Sequence, residues 1–286
     1  SESLNGATLC VRGHFAHDYL NSAHRLVSPL MRKEKEEQSE LVPTSWDEAL
    51  DLVANRLRDI KNKYGPQSIG FMGSSKCSIE ENYLFQKLAR VCVGTNNVDN
   101  GGGVYGQYQT RILDEKTDGG YRLGRLTDLE SADVIFVLGA DPCHSVPVMA
   151  YYLKRAARNG IPIIVADPRR TELTNYASVW LPVNPEGDLA LVNGLSTLLL
   201  EEGTCDQPFI DRCTEGFSDF KEELGRLKLD DIGQLTGLEP AVMKSAVKLL
   251  GAKKITFVIG HGILQRKSAE KTLAAVLNLV LLSGSL

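Results

Sequence analysis

"DVIFVLGAD", residues 133–141, is the stretch whose reading decides the fold. Val134 to Leu138 are apolar without alternation, so a strand here has both faces covered, and Gly139 and Asp141 then turn the chain. "IPIIVADP" (161–168) repeats the pattern, and "ITFVIGHG" (255–262) comes close to it. "SVWLPV" (178–183) adds a fourth strand signal, with helical patterns in between. Strands of this kind alternating with helices predict an α/β fold, a Rossmann-like, doubly wound parallel sheet flanked by helices.

Toward the amino terminus, "SWDEALDLVANRLRDIKNKYG" (45–65) opens on a capping box, Ser45 and Glu48. It places apolar side chains at Leu50, Val53, Ala54, Leu57 and Ile60, and closes on Gly65, which predicts an amphipathic helix. A strand "SIGFMGS" (68–74), a helix from Ile79 to Val93 and the glycine-rich "NNVDNGGGVYGQYQT" (96–110) follow. Before them, "SPLM" and "LVPTS" are two short strands around the solvated turn "RKEKEEQSE" (32–40). The expected organisation is a leading segment 1–45, a first α/β unit 46–125 and a second 126–286.

A chain of 286 residues with 43% hydrophobic and 24% charged residues and a net charge of -4 describes an ordinary globular protein with no basic surplus to attract nucleic acid or an anionic membrane. The longest apolar run, Leu273 to Leu282, is broken by Asn278 and is too short to span a bilayer, so it reads as a buried helix. With no signal-peptide pattern at the start, the expected location is cytoplasmic. An opening without Met and an ending on an apolar helix suggest an excised segment of something longer. Cys10, Cys77, Cys92, Cys143, Cys205 and Cys213 form no CxxC pair, which excludes a disulfide framework and a self-contained zinc site; most are expected to be small buried hydrophobes.

In open α/β sheets ligands bind beyond the carboxyl ends of the strands. The candidate binding residues are therefore Gly139 and Asp141, Asp167 and Arg169 with Arg170, Gly187 and Asp188, and Gly260, Gly262 and Gln265. Glycine admits close backbone approach, a carboxylate accepts from ribose hydroxyls or a guanine donor edge, and a guanidinium grips a diphosphate. Ser74, Ser75 and Lys76, past an earlier strand, are candidates for touching a pterin or phosphate. Together they predict a nucleotide-sized ligand, although the chain lacks both GxGxxG after its first strand and GxxxxGK[ST]. His14, His17 and His24 have no third ligand nearby and read as surface or packing residues, and His144 reads as a helix residue. His261, between two glycines, is a candidate polar contact.

Read together, "LCVRGHFAHDYLNSAHRLVSPLMR", "WDEAL", "GSSKCSIEENYLFQKLAR", "GTNNVDN", "ADVIFVLGADP", "VADPRRTEL", "EGDLALVNG", "RCTEGF" and "GHGILQ" resemble the large subunit of molybdopterin-dependent oxidoreductases, formate dehydrogenase α subunits above all. The resemblance implies that the strand-end residues hold the guanosine and diphosphate of a molybdopterin guanine dinucleotide. It implies that Cys10 is the last of four ligands to an iron-sulfur cubane, and that Arg12 stands where formate-oxidising members have a Lys relaying electrons between cluster and pterin. Where those members carry Cys or selenocysteine followed by His, the ungapped match places Tyr105 and Gly106, with Gly103 replacing a nearby Arg. A phenol with a pKa of ~10 is a poor substitute for a thiolate, so Tyr105 is only a weak candidate metal ligand.

"QYQTRILDEKTDGGYRLGRLTDLESADV" (107–134) is similar instead to the iron-sulfur G subunit of NADH:quinone oxidoreductase, complex I. The resemblances together imply an electron-transfer segment without its own formate chemistry, with iron and sulfide but no molybdenum or tungsten in the full-length protein. The implied partners are the rest of its own polypeptide and iron-sulfur and flavin- or NAD-binding subunits, at the cytoplasmic face of a membrane complex. The alternatives are a catalytic formate dehydrogenase α subunit with an unusual ligand and a scaffold whose pocket is filled by side chains.

Overall fold

The computed structural model describes residues 8–32, 40–100, 123–251 and 254–285, with Ile112, Asp114, Glu115 and Thr117. The chain divides into two compact units, Val11–Val104, and Ser1–Cys10 with Tyr105–Leu286.

The first unit begins with a short helix α1 (Val11–Phe15) and the strands β1 (Leu30–Arg32) and β2 (Leu41–Pro43), which pair antiparallel with Met31 opposite Val42. Helix α2 (Trp46–Tyr64) starts where the sequence indicates. Glu48 N donates to Ser45 Oγ at 3.2 Å and Ser45 N to Glu48 Oε2 at 3.1 Å, satisfying two backbone donors at the helix start. Strand β3 (Phe71–Met72) runs parallel to β4 (Val98–Asp99), and α3 (Ile79–Lys87) lies between them in sequence. The last part of the expected helix, Leu88–Val93, widens into a π-helical turn closed by Gly94 at φ +86°. Ile69, Phe71, Ala89 and Val93 form a small core with Leu57 and Val98. Leu57 is the contact α2 makes with this core, and Leu50, Val53 and Ile60 of its apolar stripe stay exposed.

The second unit contains, in order, β5 (Val134–Leu138), α4 (Pro142–Ser145), α5 (Pro147–Arg158), β6 (Ile163–Ala166), β7 (Val179–Leu181), α6 (Asp188–Glu202), α7 (Gln207–Cys213), α8 (Phe217–Gly225), α9 (Leu229–Thr236), α10 (Pro240–Leu250), β8 (Ile255–Ile259), α11 (His261–Leu264) and α12 (Ala269–Leu282). The strands form one sheet in the order β7-β6-β5-β8, all parallel, with Phe136 between Ile164 and Phe257. All of β5 is buried, as its unbroken apolar run requires. Val134, Phe136 and Leu138 pack on one face with Leu195 and Leu199 of α6, Val247 of α10 and Leu279 of α12. Ile135 and Val137 pack on the other face with Tyr152, Leu153 and Ala156 of α5. Helices on both faces make the sheet doubly wound. Strand β7 is shorter than its sequence signal because Val183 N turns back to Leu181 O at 2.8 Å.

The apolar run 273–282 lies in α12, whose Leu273, Val276, Leu277, Leu279 and Leu282 are buried. Among the described residues, no helix is long and apolar enough to cross a membrane. The cysteines depart from expectation. Cys10, Cys143 and Cys205 are half-buried and Cys77, Cys92 and Cys213 exposed, because they sit in loops and near helix ends rather than on core-facing positions. Burial pushes the thiols of Cys143 and Cys205 up from their ordinary range.

Candidate functional site

From β5 the chain proceeds to β6 and β7 on one side of the sheet, while β8 lies on the other. The carboxyl ends of β5 and β8 therefore flank a topological switch point, where ligands of such sheets bind. The loops leaving these strands are locked together. Gly260 N donates to Leu138 O and Gly262 N to Gly139 O, both at 3.0 Å. A Cβ on Gly260 would lie 2.2 Å from Gly139 O, one on Gly262 2.8 Å from the same oxygen, and one on Gly139, at φ +58°, 2.9 Å from Ile263 Cγ1. These glycines are needed by the two loops for each other, before any ligand is considered. His261 opens the short α11, and Gln265 ends it with its N–H on His261 O at 3.0 Å.

Three carboxylates stand along this edge. Asp167, 3% exposed, is engaged by its neighbour: Arg169 donates from its backbone N (2.9 Å) and Nε (3.2 Å) to Oδ1 and from Nη2 to Oδ2 (3.3 Å). The bond to Asp167, reinforced by the charges of Asp167 and Asp141, raises Arg169 above its ordinary range. The guanidinium thus grips a carboxylate of its own chain, and Asp167 has correspondingly little capacity left for a ribose. Arg170 is exposed.

Asp141 and Asp188 are different. Asp141 Oδ2 takes His144 Nδ1 at 2.9 Å, and its Oδ1 is buried with no hydrogen-bond partner. Asp188 is the first residue of α6, with Gly187 as the cap, and is 8% exposed. Burial pushes its carboxyl above the ordinary range, Arg266 and its own backbone N–H draw it back down, and Asp167 pushes it up again. Arg266 donates from Nε to Gly262 O at 3.3 Å, and its Nη1 is 4.0 Å from Glu186 Oε1. Glu186, at φ +71°, is the third residue of the turn Asn184–Gly187, closed by Gly187 N on Asn184 O at 2.9 Å. A buried acceptor without a donor costs about 1 to 3 kcal/mol, so Asp141 Oδ1 suits a ligand that brings an N–H or O–H donor, and the buried Asp188 offers a second acceptor beside it.

Sequence reasoning missed Arg266 and the His144 to Asp141 bond. The first was signalled by a cation directly after Gln265, and the second by a three-residue spacing at a helix start. Thr171 Oγ1, also buried without a partner, lies past β6 at the start of the turn Glu172–Tyr176 and had no signal.

The other candidates are distributed elsewhere. Ser74 and Ser75 belong to the first unit, where Asn82 Nδ2 donates to Ser74 O at 3.0 Å and Lys76 N donates to Ser74 Oγ at 3.1 Å. Those bonds shape the β3 to α3 turn and leave Ser75 and Lys76 exposed. Cys10 is half-buried, and Arg12 is exposed in α1. Tyr105, with Gly103 and Gly106, lies outside the described residues. Among the described residues, no group of three or more His, Cys, Asp or Glu side chains is placed to hold a metal ion.

The sequence profile of the molybdopterin oxidoreductase family matches residues 25–286. Formate dehydrogenase H of Escherichia coli is 32% identical over 288 residues, covering 99% of this chain and 40% of the relative. The F420-dependent formate dehydrogenase 1 subunit alpha of Methanococcus maripaludis is 31% identical over 284 residues, 99% of this chain and 41% of the relative. The chain thus spans about two-fifths of the length of these curated relatives. Acetylene hydratase from Pelobacter acetylenicus shares the fold with a TM-score of 0.75 at 24% identity, over 97% of this chain and 38% of that one. With the profile matching most of its length, the chain belongs to the molybdopterin oxidoreductase family.

Proposed function

We propose that the segment 126–286 is the dinucleotide-binding domain of a formate dehydrogenase-like subunit and holds the guanosine and diphosphate of a molybdopterin guanine dinucleotide. The observation that carries this reading is Asp141 Oδ1, buried without a donor beside the switch point, with the buried carboxyl of Asp188 on the same edge. The residues fit the group, because the N1–H and amino hydrogens of guanine lie side by side and match one carboxylate, while ribose hydroxyls suit another. Asp188 takes the guanine edge. Arg266 and the Asp167-bound Arg169 place positive charge for the diphosphate, and the backbones of Gly139, Gly187, Gly260 and Gly262 let the strand-end loops approach it, with Gln265 at the rim. When bound, the molybdenum-pterin group supplies two-electron redox chemistry.

The family and the unsatisfied carboxylate of Asp141 favour a pterin-bearing protein over the form with iron but no molybdenum or tungsten that the likeness to the complex I G subunit implies. Cys10 is one ligand of an iron-sulfur cluster completed from elsewhere in the polypeptide, and Arg12 keeps a positive charge beside the electron path. Iron-sulfur and flavin- or NAD-binding subunits at the cytoplasmic face of a membrane are the partners; a relative named as a formate dehydrogenase subunit alpha supports a multisubunit setting.

The chain carries electrons without itself providing the protein ligand for formate oxidation. No Cys lies between Cys92 and Cys143 and no His between His24 and His144, so the loop 96–110 offers neither thiolate nor imidazole. Metal and pterin analysis of the full-length protein purified from its own host tests the reading. Guanine-linked pterin with molybdenum or tungsten, together with iron, is expected, and iron without pterin overturns the dinucleotide reading. Tyr105→Phe is expected to leave metal content and any formate-dependent dye reduction within about twofold of wild type, since a phenol with a pKa of ~10 binds metal poorly at neutral pH. Abolished formate oxidation with retained pterin would make Tyr105 a ligand and restore the loop to catalysis.

A further inference from the structure

Asp141 follows the central strand, and its two polar ends do separate work. Its backbone carbonyl closes the first turn of α4, accepting from His144 N at 3.2 Å, Ser145 N at 3.0 Å and Ser145 Oγ at 2.8 Å. The carboxylate makes no cap bond to that helix. Instead Oδ2 accepts from His144 Nδ1, and Oδ1 is left buried without a donor. An ionised carboxylate only accepts, so this bond fixes the proton on Nδ1 and turns Nε2 to solvent. The imidazole is 77% exposed and the carboxylate 16%, so His144 reaches in from the surface to hold a mostly buried group. Neighbouring cations are committed elsewhere: Arg169 to Asp167, and Lys154 to Glu172 at 2.5 Å.

We propose that His144 is the positioning residue for Asp141: by donating to Oδ2 it fixes the rotation of the carboxylate and keeps Oδ1 as the acceptor for an N–H or O–H of the bound nucleotide. The proposal rests on the dinucleotide reading above. Without His144 the carboxylate rotates, turns its free oxygen to water, and has to be reordered each time a ligand binds.

The test uses the full-length protein from its own host as wild type, His144→Ala, His144→Gln, His144→Asn and Asp141→Asn. The readouts are GMP released by acid hydrolysis per protein and the rate at which guanine-linked pterin is lost on mild warming. Asn places an amide N–H close to the position of Nδ1, whereas the Gln amide reaches the position of Nε2. His144→Ala and His144→Gln are expected to lose pterin about three- to tenfold faster, the value of one charge-assisted hydrogen bond. His144→Asn is expected to stay within about twofold of wild type. Asp141→Asn is expected to lose pterin at least as fast as His144→Ala, and adding His144→Ala to it to change nothing further. His144 is surface-exposed, so its substitutions leave the fold intact, and the melting curve verifies this for every variant, Asp141→Asn included. A wild type that releases no GMP overturns the dinucleotide reading and this proposal with it. A GMP-releasing wild type with unaffected His144→Ala, or with Asn no better than Gln, overturns the positioning role alone.

Discussion

Gly260→Ala is expected to destabilise the protein by about 3 kcal/mol and to strip it of guanine-linked pterin. The added methyl would sit 2.2 Å from Gly139 O and 2.5 Å from Ala140 Cα, distances no real Cβ tolerates. Conformational strain has no part in this, since Gly260 has φ -109° and ψ 178°, which alanine adopts freely. The obstacle is backbone that cannot give way: Gly139 N is bonded to Ala166 O at 2.9 Å, and Gly260 N to Leu138 O at 3.0 Å. Relief therefore requires parting β8 from β5. Gly160 supplies the contrast, with φ +87° and nothing within 4 Å of the place a methyl would take. Gly160→Ala should cost only the left-handed backbone penalty of about 1 kcal/mol. Urea midpoints of the two variants settle the comparison, and a Gly260→Ala midpoint at or above that of Gly160→Ala would mean the loops are not packed as described.

Asp188→Asn is expected to move stability and binding in opposite directions. Burial raises the folded-state pKa of this carboxyl above its ordinary 3.8, so the folded state holds the proton more tightly than the unfolded one. That contribution is fully present below the unfolded pKa and is lost as pH rises through the folded pKa, because burial disfavours the charged form. Removing the charge should make apo protein melt higher than wild type at pH 7, with the gap closing as pH falls toward the ordinary carboxylate range. Guanine-linked pterin should be held about 10- to 100-fold more weakly, the worth of a hydrogen bond to a charged group. A variant that binds as wild type would remove Asp188 from the site, and an apo melting temperature below wild type at pH 7 would contradict the cost of its burial.

The sheet was legible because its evidence is local. Val134 to Leu138 announce a strand covered on both faces, and Ser45 with Glu48 announces a helix start, each within a few neighbouring residues. The partners inside the site were not legible, because they are set by approach across the sheet. Nothing near Gly260 indicates that Gly139 lies against it, and the cation after Gln265 does not by itself indicate that its charge acts on Asp188. Arg169 shows the converse: its charge suggested a diphosphate, while its short spacing from Asp167 lets the two residues pair with each other. The stripe on α2 does form one helix face, but amphipathic spacing does not say what covers that face, and most of it is exposed.

The strand order β7-β6-β5-β8 also sets a sequence of events. β6 reaches β5 after a single connection, whereas β8 pairs with β5 after a long excursion, with Lys254 N donating to Asp133 Oδ2 at 3.1 Å across 121 residues. Long closures add little free-energy cost but slow the pairing that depends on them. During synthesis Asp141, Asp167 and Asp188 are therefore in place before Gly260 and Arg266 have left the ribosome. The crevice is the last part of this sheet to be assembled, and on the dinucleotide reading a nucleotide touching both of its walls would bind in that step. Until then β5 keeps an open edge, the kind of surface on which strands of other chains pair in error. On the dinucleotide reading, scarcity of the nucleotide would lengthen the time for which that edge stays open to other chains.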